Sequence, residues 1–411
     1  MRIQIFFICL IVSQIILPLI QVKTPNLAPT SDYQYLWDEI EEIGTSSIGD
    51  DPLTWGADLG PYYNYEELVH KLMTINHTFP DIIEIFSIGK TIQNREIWTI
   101  AITDESIDAP KEEIHVISAH HGMEAITVMV ALYIIDYFLY SYTNTQNIKE
   151  FFGKDINHAS DQNMSIKSLL QHVKIYITPM LNADAISILF KNPWQRKNLH
   201  FDNESLEGFV GKIIDNNNDK KISLSFEKKS SIGFLEGKGA SIEGVDLNRN
   251  YQVFFGGIGS SNSSTSTVYH GKFPFSEPET RAVQSFVQKH NFKYAISLHS
   301  GSNLIISHDN SSEAEVLAET LYSFTNYDRW DFSNSHVASG DWGSYITALG
   351  TRAFTYEVFD DTLAFQSNIT HNTFSGAFDS HNPALYSSKN LKYYSHPVFM
   401  GILWLCKISV V

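Results

Sequence analysis

The sequence predicts one α/β domain built on a mixed, largely parallel β-sheet that is flanked by helices. Short runs of β-branched residues alternate with helical segments along most of the chain, which is the pattern of strand–helix–strand units. One long segment, residues 125–142, is apolar on most faces and therefore predicts a helix buried against that sheet. No internal repeat or interdomain linker divides the sequence, so a single domain is expected.

Composition and charge narrow the possible functions. The chain has 411 residues, of which 43% are hydrophobic, so it can bury a large core. Its net charge of -17 disfavours binding to a phosphate backbone, and no nucleic-acid partner is expected. Only two cysteines occur, and Cys9 lies in a segment that we expect to be cleaved, so core packing rather than a disulfide must stabilise the domain.

Residues 1–23 have the composition of a secretory signal peptide. Met1 and Arg2 precede an apolar stretch, residues 3–20, and we expect cleavage near residues 21–24. An uncleaved signal anchor is the alternative that this apolar length allows. Six N-glycosylation sequons fit the same route, and they begin at Asn76, Asn163, Asn203, Asn262, Asn310 and Asn368. We expect a glycoprotein that is secreted or lies in the lumen of the secretory or lysosomal pathway, without stable membrane insertion.

The first predicted elements lead to the end of a strand at residue 119. Residues 24–59 are acidic and turn-rich, which predicts an extended lead-in rather than a domain. Asn64 and Glu67 form a capping box that begins a helix. Three β-branched runs then predict neighbouring strands, at residues 82–88, 96–103 and 113–119.

The second half of the chain continues this alternation. Later strands are predicted at residues 173–178, 294–298 and 351–356. Ser276 and Glu279 form a second capping box with Pro278 inside the first turn, so a helix should begin there and run to about residue 288. The hydrophobic C-terminus predicts a last helix packed on the core.

A candidate metal site begins where the strand of residues 113–119 ends. His121 and Glu124 are three residues apart, so a chain that turns into a helix here brings both side chains to one point. A zinc site of two histidines and one glutamate keeps a position open for water and hydrolyses amide bonds. The alternative is an ordinary helix start with an acidic first turn, because this spacing also arises by chance.

Two further polar residues directly follow predicted strands. His299 comes after residues 294–298, and in such sheets ligands bind beyond the C-terminal ends of the strands. It is the candidate third zinc ligand, with a structural histidine as the alternative. Glu357 ends the strand of residues 351–356, where a carboxylate is costly unless it is paired or functional. This position suits a general base that acts on water.

Residues 244–251 contain a candidate substrate clamp. Asn248 and Arg249 offer an amide donor and a guanidinium fork, which together suit recognition of a C-terminal carboxylate. Asp246 can orient a zinc-bound histidine through its second ring nitrogen. The alternative is a polar loop held by its own hydrogen bonds.

These motifs occur in the order found in zinc metallocarboxypeptidases of the carboxypeptidase A type, which the sequence resembles over about residues 60–405. The motifs are His121-x-x-Glu124, Gly244-Val245-Asp246-x-Asn248-Arg249-Asn250, Tyr269-His270-Gly271 with Phe275-Ser276-Glu277-Pro278-Glu279-Thr280, His299-Ser300 and Phe354-Thr355-x-Glu357. The resemblance implies a single α/β catalytic domain over residues 60–406 with a mixed, eight-stranded sheet.

The resemblance also implies the roles of the central residues. His121, Glu124 and His299 would hold one zinc ion per chain, and Asp246 would hold His121. Glu357 would be the general base that assists attack by zinc-bound water.

Four more positions follow from the same resemblance. Asn248 and Arg249 would bind the C-terminal carboxylate of the substrate, and Arg196 would stabilise the developing oxyanion, although an extra Gln195 precedes it here. His336 occupies the place of the family's mobile tyrosine, and we expect it to contact substrate.

The function implied is that of a zinc metallocarboxypeptidase, expected to be a monomer, that acts on peptide or protein C-termini. Two alternatives are a catalytically silent relative that binds peptides, and the same chemistry on a non-standard substrate such as a glutamylated or cell-wall peptide. The residue that sets side-chain preference falls in a shortened stretch, residues 339–351, so no preference is predicted. Because only residues 24–59 precede the domain, we expect activity without removal of a folded pro-domain.

Overall fold

A mixed β-sheet lies at the centre of the protein in the computed structural model. The described residues are 62–152, 164–188, 195–199, 212–213, 235–236, 244–264, 266–309, 311–325, 327–331, 338–360 and 388–410. The strands are β1 (Ile83–Lys90), β2 (Glu96–Ile102), β3 (Glu112–Ser118), β4 (Val173–Thr178), β5 (Lys212–Ile213), β6 (Leu235–Glu236), β7 (Phe292–Ser307), β8 (Asp328–Asp331) and β9 (Arg352–Asp360). The helices are α1 (Tyr65–Thr78), α2 (Ile126–Thr143), α3 (Ile148–Phe152), α4 (Ile166–Leu170), α5 (Ala183–Ile186), α6 (Pro278–Val287), α7 (Ser312–Ser323), α8 (Trp342–Ala348) and α9 (Ser388–Ser409), and Leu247–Arg249 form a 3-10 turn.

The strand order of the main sheet is β1-β2-β4-β3-β7-β8, with β9 also paired to β7. β2 is antiparallel to β1 and β4, whereas β3 is parallel to β4 and β7. The predicted fold class, a mixed and largely parallel sheet flanked by helices, is therefore confirmed. The described residues all belong to one compact unit, Tyr35–Val411. The predicted signal peptide and lead-in, residues 1–23 and 24–59, lie outside the described residues.

β7 occupies two places in the sheet because it pairs with β9 twice. Its first half runs parallel to β9 and brings His299 opposite Glu357. Its second half returns along β9, so that Leu304 lies opposite Glu357 and Ser307 lies opposite Phe354. Among the described residues, seven strands thus fill eight positions of the main sheet. Eight is the number that the family resemblance implies.

α1 begins as its capping box predicts. The side chain of Asn64 accepts a hydrogen bond from the N–H of Glu67 at 2.9 Å, and the Glu67 carboxylate accepts one from the N–H of Asn64 at 2.7 Å. These two bonds satisfy donors that a helix start leaves open. A local signal four residues long was enough to define this boundary.

α2 is the buried core helix that the sequence predicts. Of its residues, 78% are buried, and Phe138 packs edge-on against Phe399 of α9 with ring centroids 5.0 Å apart. By length and composition α2 could also cross a membrane, but a buried core helix meets the same criteria. Its single charged residue, Asp136, pairs at 3.2 Å with Lys71 of α1, which avoids an unpaired buried charge.

The predicted capping box of α6 is wrong. The helix does begin at Pro278, but its N-cap is Glu277, and no side chain caps it. The hydroxyl of Ser276 instead donates to Glu277 at 2.6 Å and accepts from the Asn250 amide at 2.9 Å. Hydrogen bonds to a distant segment therefore replaced the local capping pattern.

Candidate metal centre and peptide site

The turn after β3 is held in an unusual backbone conformation. Ala119 has a φ of +57°, which disfavours residues with a β-carbon. Its N–H donates to the Thr127 hydroxyl at 3.1 Å, and its carbonyl accepts the N–H of Asn182 at 3.1 Å. Such strain persists only where surrounding contacts impose it, and it is common at functional sites.

His121 and Glu124 lie in a tight turn rather than in a helix. The N–H of Glu124 donates to the carbonyl of His121 at 3.2 Å, and α2 begins only at Ile126. The expectation that a helix start brings these residues together is therefore wrong. The turn has the same effect, since Nδ1 of His121 lies 2.6 Å from Oε1 of Glu124.

Sheet topology brings His299 to the same point. β3 and β7 are parallel neighbours with Ser118 opposite Leu298, so His299, the next residue of β7, lies beside the turn that follows β3. Nδ1 of His299 lies 3.0 Å from Oε2 of Glu124. Ligand atoms of His121, Glu124 and His299 all lie within 4.8 Å of one another, and all three residues are buried.

The second ring nitrogens of both histidines face other partners. Nε2 of His121 lies 3.1 Å from Oδ1 of Asp246, and Nε2 of His299 lies 3.3 Å from the amide nitrogen of Asn248. Both Nδ1 atoms are therefore directed toward Glu124. Two imidazole nitrogens and one carboxylate that converge in this way fit a zinc ion with an open coordination position.

Electrostatics favours the protonation states that bind a metal. Burial alone would raise the pKa of Glu124, but His121 and His299 hold it below its ordinary value. Burial lowers the pKa of His299, although Glu124 opposes this. At neutral pH the carboxylate is therefore ionised and the imidazole is neutral, which are the forms that ligate a cation.

Arg196 and Asp246 form one unit beside this turn. Nε of Arg196 donates to Oδ2 of Asp246 at 3.1 Å. Burial would raise the pKa of Asp246, but Arg196 and His121 hold it well below its ordinary value. The carbonyl of Arg196 accepts the N–H of Gly122 at 3.2 Å. A β-carbon on Gly122 would lie 2.7 Å from the carbonyl oxygen of Gln195, so this close approach requires glycine.

Asn248 and Arg249 lie on the 3-10 turn that Asp246 caps. The N–H of Asn248 donates to Asp246 at 2.9 Å, and the Asn248 side chain accepts the N–H of Trp342 at 2.9 Å. Arg249 donates from Nε to the carbonyl of Gly259 at 2.8 Å and from Nη1 to that of Asn248 at 2.7 Å. The guanidinium is therefore oriented before any substrate binds.

Glu357 is half-buried inside β9 and lies directly opposite His299. Both residues lie within their strands rather than after them, so the predicted strand ends at residues 298 and 356 are wrong. Its charge acts on both Arg196 and Arg249, so these groups share one site. His336 lies outside the described residues, and its expected contact with substrate stays a prediction. The other site residues that the sequence predicts are brought together.

Two histidines at this site were missed by sequence reasoning. His120 is fully buried beside the ligand turn, where it contacts Tyr251. His308, whose side chain is buried, lies 3.3 Å from the carboxylate of Asp341, and its Nε2 lies 2.9 Å from the Thr355 hydroxyl. The only sequence signal was the adjacent pair of histidines, because each of these contacts joins distant segments.

Comparison with known proteins adds independent information. A family model described as zinc carboxypeptidase matches residues 68–338. Carboxypeptidase B2 of Bos taurus is 23% identical over 362 residues, covering 82% of this chain and 73% of that protein. Carboxypeptidase A1 of Sus scrofa is 24% identical over 332 residues, covering 79% of this chain and 66% of that protein.

Solved structures show the same fold. The structure of thrombin activatable fibrinolysis inhibitor aligns with a TM-score of 0.61 at 22% identity, covering 90% of this chain and 80% of that chain. Carboxypeptidase A from Helicoverpa armigera aligns with a TM-score of 0.58 at 18% identity, covering 91% of this chain and 80% of that chain.

Proposed function

Because the chain belongs to the zinc carboxypeptidase family, we propose that it is a zinc-dependent exopeptidase that hydrolyses the C-terminal peptide bond of peptides and proteins. The observation that supports this proposal best is the convergence of His121, Glu124 and His299 within 4.8 Å in a buried site. These three residues would hold the ion. A bound zinc ion supplies a Lewis acid that polarises the scissile carbonyl and makes water a better nucleophile.

Asn248 and Arg249 bind the carboxylate of the substrate in this proposal. Burial lowers the pKa of Arg249, with Asp246 opposing, and only 7% of the residue is exposed. A poorly solvated guanidinium gains more from an incoming carboxylate than an exposed one does. Its bonds to the carbonyls of Gly259 and Asn248 remove the cost of orienting it. Binding the free C-terminus there selects the last peptide bond.

Glu357 and Arg196 perform the proton transfer and charge stabilisation. Glu357 takes a proton from the attacking water and donates it to the leaving amine. Arg196 donates hydrogen bonds to the oxyanion that develops on the scissile carbonyl. Asp246 contacts both His121 and Arg196, so it fixes a metal ligand and the oxyanion donor relative to each other.

The decisive test is Glu357→Gln, which keeps the size of the side chain but removes the base. We expect kcat to fall by about 100- to 10,000-fold, while zinc content and binding of a peptide C-terminus stay unchanged. Activity on peptides that differ only in the last residue defines the preference for the C-terminal side chain. The same assay with a chelator tests whether the activity depends on a metal.

The matched control is Glu313→Gln. Glu313 is exposed and pairs with Arg352 at the opposite end of β9, so this variant should keep wild-type kcat. Equal activity of Glu357→Gln and wild type would remove Glu357 from the mechanism. A wild-type protein that binds zinc but never cleaves a peptide would favour a silent peptide-binding relative instead.

We also propose that the protein enters the secretory pathway. The apolar stretch of residues 3–20 supports this, as does the sequon at Asn262, which is exposed in a loop. Expression in a secreting eukaryotic host followed by treatment with an N-glycosidase should shift its mass, and an unglycosylated intracellular product would contradict the proposal.

A further inference from the structure

His120 is a buried histidine that the proposed reaction does not use. Its Nε2 lies 3.0 Å from the hydroxyl of Tyr251, and its Nδ1 lies 3.4 Å from the hydroxyl of Ser297. Its ring is nearly parallel to that of His299, with an interplanar angle of 15° and ring centroids 5.4 Å apart. His120 therefore lies against the ring of a candidate metal ligand while both of its own nitrogens are held.

Tyr251, the first support of His120, is anchored in the core. The residue is fully buried, and its N–H donates to the carbonyl of Gly340 at 2.9 Å. Its ring stacks on Tyr345 at 5.6 Å and meets Phe275 edge-on at 5.8 Å. Since Tyr251 follows Arg249 by two residues, its hydroxyl joins the substrate-binding segment to the metal-binding turn.

Ser297, the second support, lies two residues before His299 on β7. Residues two apart in a strand project from the same face of the sheet. Ser297 thus contacts His120 on the face of the sheet from which His299 projects, and Ser297 is 1% exposed. The two supports reach His120 from different segments of the chain, so its ring is constrained from two directions.

We propose that His120 is a positioning residue that holds the imidazole of His299 in the orientation from which Nδ1 faces Glu124. The inference rests on the proposed function, because it takes His299 as a zinc ligand. A flat ring packed against one face of an imidazole resists rotation of that imidazole, since rotation would drive its edge into the neighbouring ring. Residues that orient metal ligands commonly change metal affinity by 10- to 100-fold.

Three variants separate the contributions of the hydrogen bonds and the ring. Tyr251→Phe removes one oxygen atom and keeps every stacked ring, so it makes the smallest structural change of the three. His120→Phe keeps a flat ring but loses both hydrogen bonds, and His120→Leu loses both features. We expect zinc affinity, measured by competition with a chelator, to fall by about tenfold in Tyr251→Phe and further in His120→Leu. His120→Phe should lie between wild type and His120→Leu.

Two readouts distinguish positioning from a general loss of stability. Cobalt in place of zinc should show altered visible absorption in the variants, because the bands report ligand geometry. The kcat for a peptide should fall with metal affinity, while KM changes by less than about twofold, since the contacts of Asn248 and Arg249 remain. Thermal unfolding of the metal-free proteins verifies folding, and Tyr251→Phe remains informative even where His120→Leu does not fold.

Tyr345→Phe is the matched control, since it removes a hydroxyl from the ring that stacks on Tyr251 but that lies near Gln288 rather than His120. It should bind zinc like wild type. Unchanged zinc affinity and cobalt spectra in Tyr251→Phe and both His120 variants would overturn the inference. A wild-type protein that binds no zinc would overturn the proposed function instead, and the chelator competition shows this without any turnover.

Discussion

Two buried groups of carboxylates in this protein have opposite acid–base properties. In the metal centre, burial would raise the pKa of Glu124, but the two neighbouring imidazoles hold it below its ordinary value. Beside α6, the Asn198 amide donates to Glu277 at 2.7 Å and to Glu279 at 3.3 Å. Burial, together with Asp184 and Glu277, raises the pKa of Glu279 to about 7.

Neighbouring groups, rather than residue type or depth of burial, decide what a buried carboxylate can do. Glu124 and Glu279 are 3% and 0% exposed, so their burial is nearly the same. A carboxylate that stays ionised beside two imidazole rings can bind a cation. A carboxyl group beside other carboxylates holds its proton near neutral pH and makes the fold sensitive to pH.

The largest expected difference in zinc affinity and activity is between the same substitution made at Glu124 and at Glu279. Glu124→Gln removes the charge that faces His121 and His299, so zinc affinity and kcat/KM should fall by more than about 100-fold, beyond the effect of a supporting residue. Glu279→Gln should change both quantities by less than about twofold. Chelator competition and peptide hydrolysis measure the two variants side by side, and an equal loss in both would contradict the different roles of Glu124 and Glu279.

The next effect concerns stability and pH. Glu279 in the folded state has a pKa of about 7 against an ordinary 4.5, so between these values the folded protein binds more protons than the unfolded chain. The contribution of Glu279 to the free energy of unfolding should therefore fall by about 3 kcal/mol as pH rises from 4.5 through 7. Glu279→Gln should lack this decrease. Urea unfolding of both proteins at several pH values tests this prediction. If the free energy of unfolding changes with pH equally in both proteins, the pKa shift of Glu279 is contradicted.

The smallest effect is expected at Asp246, a third buried carboxylate. Its pKa is held well below its ordinary value because Arg196 and His121 outweigh burial. Asp246→Asn should weaken zinc binding by about tenfold, since the His121 ring loses a charged partner. Ser276→Ala is the control, because Ser276 contacts Glu277 beside α6, and it should leave zinc affinity unchanged. If Ser276→Ala weakens zinc binding as much as Asp246→Asn, the carboxylates beside α6 and those of the metal centre are not independent.

Features with local determinants were predicted well. The capping box of Asn64 and Glu67 marks the start of α1, and the strand of residues 173–178 has the bounds that its β-branched run predicts. Ser276 failed as a cap because Asn250 takes up its hydroxyl. Similarly, the backbone of Ala119 depends on Thr127 and Asn182, which no short motif encodes.

The same distinction between local and long-range determinants applies to the candidate site. Ordered motifs were enough to identify His121, Glu124 and His299 as candidate ligands, because their residue types and their order are properties of the chain. The orientation of each ring, the state of each proton and the support from His120 depend on contacts between segments far apart in sequence. Burial and charge act through space, so these properties arise only once β3 and β7 lie side by side.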